Sequence, residues 1–176
     1  MNSTLYISKL DAAKRQLLTA IRLFKYDEDF VSIHTLTMSS NKILYDLLKK
    51  NKIQTPHDEQ MSFIKKERRN EVQEKLFKAK NYFKHANNDH SEILEFNPEI
   101  NAFYIQQTCE MYNKLTKENE MEFTIFLRWF FAKYPDILNS DRQFYENLPS
   151  ELGVKVENKI EFFNAISKLF EFGKKL

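Results

Sequence analysis

Two glycines, four prolines and one cysteine in 176 residues leave this chain short of the residues that turn, break or cross-link a backbone. So little glycine excludes a fold built on many tight turns with positive φ, and long helices suit what punctuation there is. A lone cysteine, Cys109, can form neither an internal disulfide nor a paired-cysteine metal site, which fits a reducing compartment. No run of about 18 uncharged apolar residues occurs. The first residues, Met1-Asn2-Ser3-Thr4-Leu5-Tyr6, lack a basic stretch followed by an apolar one. The expectation is a soluble cytoplasmic protein with no membrane partner.

An excess of one charge is missing as well. Lys and Arg total 27 against 25 Asp and Glu, too even a balance to argue for nucleic acid on net charge. Familiar motifs are equally scarce: there is no glycine-rich phosphate loop, no His-Glu-x-x-His, no Gly-x-Ser-x-Gly, no Cys-x-x-Cys and no Glu-x-x-His for a di-iron bundle. These gaps argue against nucleotide-loop, zinc-protease, hydrolase, redox and di-iron classes. Neither a cofactor nor a metal is expected.

What the chain does have is aromatic bulk and helical periodicity. Sixteen Phe, eight Tyr and one Trp predict an aromatic-rich core. Leu10, Ala13, Leu17, Ile21 and Phe24 recur at spacings of three and four, the mark of one buried helical face. Asp29 or Ser32 can cap a second helix whose stripe runs through Ile33, Leu36, Ser40, Ile43 or Leu44, and Leu47, with Thr37, Ser39 and Ser40 permitting close approach of a neighbour. After a connector over 52–56 and a short helical turn over about 57–63, Val72, Leu76, Ala79, Phe83 and Ala86 define a helix from near Lys65 to Asn87-Asn88.

Asn97-Pro98 predicts the next helix start, with Ile100, Phe103, Tyr104, Gln107, Met111 and Leu115 on its stripe. Met121 to Tyr134 is apolar almost all round, which predicts a central helix. Ser140 can cap a short helix closed by Pro149, and Gly153 leads to a terminal helix bearing Ile160, Phe163, Ile166 and Leu169. The fold class is therefore all-α: one single-domain bundle over 1–176 with about six or seven helices, in which 140–176 can form an appended hairpin.

Candidate sites follow from polar residues off the stripes. His34, Met38, Asn41 and Tyr45 share one side of the second helix, a mixed face able to line a pocket or a subunit contact; a satisfied, partly buried His34 is the plainer reading. Lys80, Asn81, Lys84 and His85 lie at the end of a helix, and helical angles turn Asn81 and His85 away from the stripe of Leu76, Ala79 and Phe83. Asp89, one turn beyond His85, can fix the imidazole tautomer if the helix reaches it. His57-Asp58-Glu59 has metal-ligand residue types, which helix capping explains equally well. Between Lys49 and Lys84 eleven basic residues face five acidic ones, a solvated face or, over 65–84, a contact for RNA or an acidic partner. Cys109, mid-helix among apolar neighbours, reads as a packed thiol.

Two resemblances add to this reading. Leu10-Asp11-Ala12-Ala13-Lys14-Arg15-Gln16-Leu17, Ser32-Ile33-His34-Thr35-Leu36, Asn81-Tyr82-Phe83-Lys84-His85-Ala86 and Phe96-Asn97-Pro98 resemble an uncharacterised family of bacterial helical proteins, over about Leu10 to Tyr134. That resemblance implies no activity, and Phe30 stands where its pattern has proline. Lys80-Asn81-Tyr82-Phe83-Lys84-His85 also resembles, in spacing, the Arg-polar-x-x-x-His motif of the HEPN superfamily of helical bundles, whose active members are often dimeric ribonucleases. The resemblance implies catalysis by His85 with Asn81 and Lys80. Lysine in place of arginine, however, loses the planar fork that clamps phosphate. The leading expectation is a non-enzymatic helical binding protein that forms a homodimer; the alternative is a degenerate HEPN-like ribonuclease with His85 as general acid or base.

Overall fold

The computed structural model describes residues 4–86, 91–171 and 173, and the described residues form a bundle of eight α-helices with no strand. The short α3, expected as a helical turn over about 57–63, brings the count above six or seven. Helix α1 (Lys9–Lys25) starts on a capping box, in which Ser8 accepts from the Asp11 N–H at 3.0 Å and Asp11 reaches back to Ser8. Asp29 caps α2 (Phe30–Lys50) by accepting from the Ser32 N–H at 2.8 Å. Between them, with so little glycine in the chain, Asp27 takes the left-handed turn at φ +52°.

Small residues bring α1 and α2 together: Ala13, Thr37 and Ser40 are fully buried, and the Ser40 hydroxyl donates to the Ala13 carbonyl at 2.8 Å. Helix α2 also packs against α5 (Ile100–Thr116), so it has two covered sides. That second contact buries His34 and Met38 beside Ile33, Leu44 and Leu48, and leaves Leu36 and Leu47 half-buried. On α5 the buried side is likewise rotated from the expected stripe. Asn101, Ile105, Thr108, Cys109 and Tyr112 are buried, whereas Phe103 is 43% exposed and lies on the rings of Phe130 and Tyr134.

Helix α6 (Met121–Lys133) is the central element its composition predicts. Phe123, Phe126, Trp129 and Phe130 are buried, with the Phe24 ring 5.5 Å from Phe126 and 5.1 Å from Trp129, both edge to face. The indole N–H donates to the Val156 carbonyl at 2.9 Å, so the core contains no stranded donor there. Leu148 of α7 (Arg142–Leu152), and Phe162, Phe163 and Ile166 of α8 (Lys159–Glu171), belong to the same apolar cluster. The C-terminal pair therefore shares the main core.

Several helix ends differ from the expected ones. Ser140 does not cap α7: Asp141 holds the cap position in the left-handed conformation, at φ +60°, with no side-chain cap bond. Helix α5 begins at Ile100 because the Asn97 side chain accepts the Glu99 N–H two residues on, holding Asn97 to Glu99 in a turn outside the helix. Pro149 does not close α7 but sits inside its last turn: its carbonyl accepts from Val154 while Gly153, at φ +67°, donates to Ser150. Helix α4 spans Arg69–Tyr82, preceded by a 3₁₀ turn over Lys66–Arg68, so it ends well before Asn87-Asn88, which lie outside the described residues.

Candidate functional site

His34 is buried to 1% exposure, and its surroundings fix its tautomer. Asn101 Nδ2 donates to the Phe30 carbonyl at 3.0 Å, which turns Asn101 Oδ1 toward His34 Nδ1 at 2.9 Å. An oxygen at that distance requires the proton on Nδ1, leaving Nε2 with a lone pair; Nε2 is buried and has no hydrogen-bond partner. The rings of Phe83, Phe96 and Tyr104 stand edge-on around it at 5.2–5.6 Å. Burial pushes the imidazole pKa down, against the opposing pull of the Asn101 bond, so the ring is neutral at neutral pH.

Farther along the same side of α2, Asn41 and Tyr45 reach a different place. They join His57 of α3 (Pro56–Ser62) and Gln73, Phe77 and Lys80 of α4 around a cleft of about 130 Å³, with Lys42 at its margin. The capping box of Thr55 and Asp58 starts α3 and thereby sets His57 between the rings of Tyr45 at 6.0 Å and Phe77 at 5.7 Å. His57 Nδ1 is buried without a partner, and burial lowers the pKa of this imidazole too. Asn41 donates to the Thr108 hydroxyl at 3.1 Å, which orients its amide from behind.

Lys80 is the unusual group in the cleft. Its ammonium lies 5.0 Å from the Phe77 ring centroid, and no carboxylate pairs with it among the described residues. The neighbouring cation is matched: Lys42 pairs with Asp46 at 2.6 Å. Burial, and then the charges of Lys84 and Lys42, hold the Lys80 pKa below the ordinary lysine range. A half-buried cation facing aromatic rings, with no carboxylate in an ion pair with it, is a ready acceptor for an anion.

The expected site residues are therefore divided. Met38 is buried at 1% exposure and His34 lies inside the core, so neither lines the cleft with Asn41 and Tyr45. Asn81, Lys84 and His85 are exposed, and α4 ends at Tyr82, with the Asn81 carbonyl accepting from the His85 N–H at 3.0 Å. The recess lined by His34 does not include His85. Asp89 lies outside the described residues. His57 belongs to the cleft although its neighbours Asp58 and Glu59 are spent on capping and on ion pairs with Lys49 and Lys114. Gln73, Phe77 and Lys80 recur at spacings of four and three, the signal that marks a second, mixed face of α4.

Among the described residues no group of three His, Cys, Asp or Glu side chains stands together to hold a metal ion, and no helix is long and apolar enough to cross a membrane. Cys109 is fully buried, and burial pushes its thiol pKa well up, as suits a packing residue. No family model, curated protein or solved structure matches the chain.

Proposed function

We propose that this chain is a non-enzymatic binding protein whose cleft between α2, α3 and α4 takes a small planar anion: a carboxylate or phosphate on a flat, ring-sized body. The observation that carries the reading is the unpaired Lys80 ammonium among Tyr45, Phe77 and His57. The ammonium matches the ligand's charge, the rings match its faces, and the Gln73 and Asn41 amides supply polar partners. A volume of about 130 Å³ limits the enclosed part to roughly one six-membered ring, since a cavity of about 150 Å³ holds benzene.

Calorimetric titration with benzoate, uncharged benzamide and inorganic phosphate tests this. Benzoate is expected to bind, with benzamide about tenfold weaker because it lacks the charge, and Lys80→Met lowering benzoate affinity by about the same factor. Phosphate binding alone would assign the cleft to the anion without the ring. Equal binding of benzoate and benzamide, or an unaffected Lys80→Met, overturns the proposal.

The homodimer expected from the mixed face of α2 has lost part of its basis there, because His34 and Met38 are used within the chain. A second copy would have to dock elsewhere, and the solution mass tests for one. One observation favours the ribonuclease reading: His85 and Lys84 are exposed immediately beyond the unpaired Lys80. It requires single-stranded RNA to be cleaved and His85→Ala to abolish cleavage; intact RNA ends it.

A further inference from the structure

A larger recess, about 310 Å³, opens where the α1–α2 turn, the start of α5, the end of α6 and the start of α8 meet. The rings of Phe24, Phe30, Trp129 and Tyr134 form its walls, and Phe30 is 38% exposed although aromatic. Three carboxylates share it. Asp27 pairs with Lys159, and Glu157 pairs with Lys133 at 3.2 Å, but Glu99 has no cationic partner among the described residues. Three carboxylates against two lysines leave one negative charge in excess.

The chain itself shows how such a recess treats an ammonium. Lys159 Nζ lies 4.1 Å from the centroid of the Phe24 ring, against the Asp27 carboxylate, so one wall already pairs a cation with a ring and an acid. The other side repeats the ingredients without the cation: Tyr134, Trp129, Phe30 and the unpaired Glu99. Glu99 stands close enough to Tyr134 that, after burial, its charge is the next cause holding the phenol pKa up. Its position just before the first turn of α5 accounts for an acid at 99. It does not account for the rings around it.

We propose that this recess binds an organic ammonium ion, its alkylated head against Phe30, Trp129 and Tyr134 and its charge facing Glu99. Alkylated ammonium groups shed water easily and are held by aromatic faces. The volume is at the small end of ligand pockets, about 300 Å³ and upward, which suits a compact cation. The site is separate from the Lys80 cleft and takes the opposite charge.

Trp129 is the only tryptophan and lines this recess, so its fluorescence reports on ligand binding there. The full chain is titrated at constant chloride with choline and with its uncharged isostere, in which carbon replaces the quaternary nitrogen. A saturable change with choline, about tenfold weaker binding of the isostere, and a several-fold loss in Glu99→Gln are expected. Lys80→Met should leave choline binding unchanged, which separates this proposal from the anion cleft. No saturable response to choline, equal affinity for the isostere, or an unaffected Glu99→Gln overturns it.

Discussion

A histidine in a helical core has to be held by something. At His34 the holder is a relay from the Phe30 carbonyl through Asn101 to Nδ1. The relay ties the start of α2 to the start of α5 and selects the neutral tautomer. Its consequence is a stability that depends on pH. Burial lowers the folded-state pKa of both His34 and His57, so the unfolded chain takes up protons that the native state resists. Above the unfolded value of about 6.5 neither residue contributes, and stability falls as pH drops through that value. Urea midpoints should therefore fall between about pH 7.5 and 5.5, and the double variant His34→Gln/His57→Gln should lose less. An identical loss in the variant would remove the two histidines as the cause. The sequence made a satisfied, partly buried His34 readable, because it flanks an apolar stripe; the structure buries it fully and satisfies Nδ1 but not Nε2. Which ring nitrogen is satisfied did not show in the sequence, since Asn101 is 67 positions away in the chain.

At the level of helices, local chemistry was the most legible part of the fold. Asp29 caps α2, Gly153 ends α7, and α6 is central because apolar residues surround it. Stripes read from one helix failed where a helix has two covered sides: α2 and α5 bury residues that a single-stripe reading assigns to the flank. Helix α4 is the opposite case, for none of its residues is buried. It is held by Phe83 against His34 just past its end, by Tyr82 Oη donating to the Glu92 carbonyl at 2.5 Å, and by Tyr104 Oη donating to the Leu76 carbonyl at 2.7 Å. Few buried contacts mean a low local unfolding free energy. Amide exchange in α4 should be faster than in α1, α2, α5 and α6. Tyr104→Phe, which removes one hydrogen bond worth about 1 kcal/mol, should accelerate α4 more than the rest. A uniform exchange pattern would contradict this. Since α4 supplies Gln73, Phe77 and Lys80, a ligand in the cleft should slow the same amides.

Across the whole molecule, the question left open by sequence is whether 140–176 is an appendage or part of the folding unit. Gly153 and Pro149 suggested a hinge, and punctuation alone cannot say what lies beneath it. Beneath it, Phe162 is fully buried, and Phe163 stands 6.4 Å from Phe126 and 6.3 Å from Trp129, inside the cluster that also contains α1 residues. Apolar area shared between elements couples their unfolding, so removing one ring should weaken the entire core. Phe162→Ala is expected to cost about 3–5 kcal/mol, a large part of the roughly 5–15 kcal/mol of a typical domain. In urea, Trp129 fluorescence and helical circular dichroism should then shift together as one transition. An appended hairpin would behave differently. Its loss would appear as a separate, earlier fall in helicity, with the main transition unmoved. Coincident transitions would make α8, which carries Lys159 and helps to wall the ammonium recess, as much a part of the folded unit as α1.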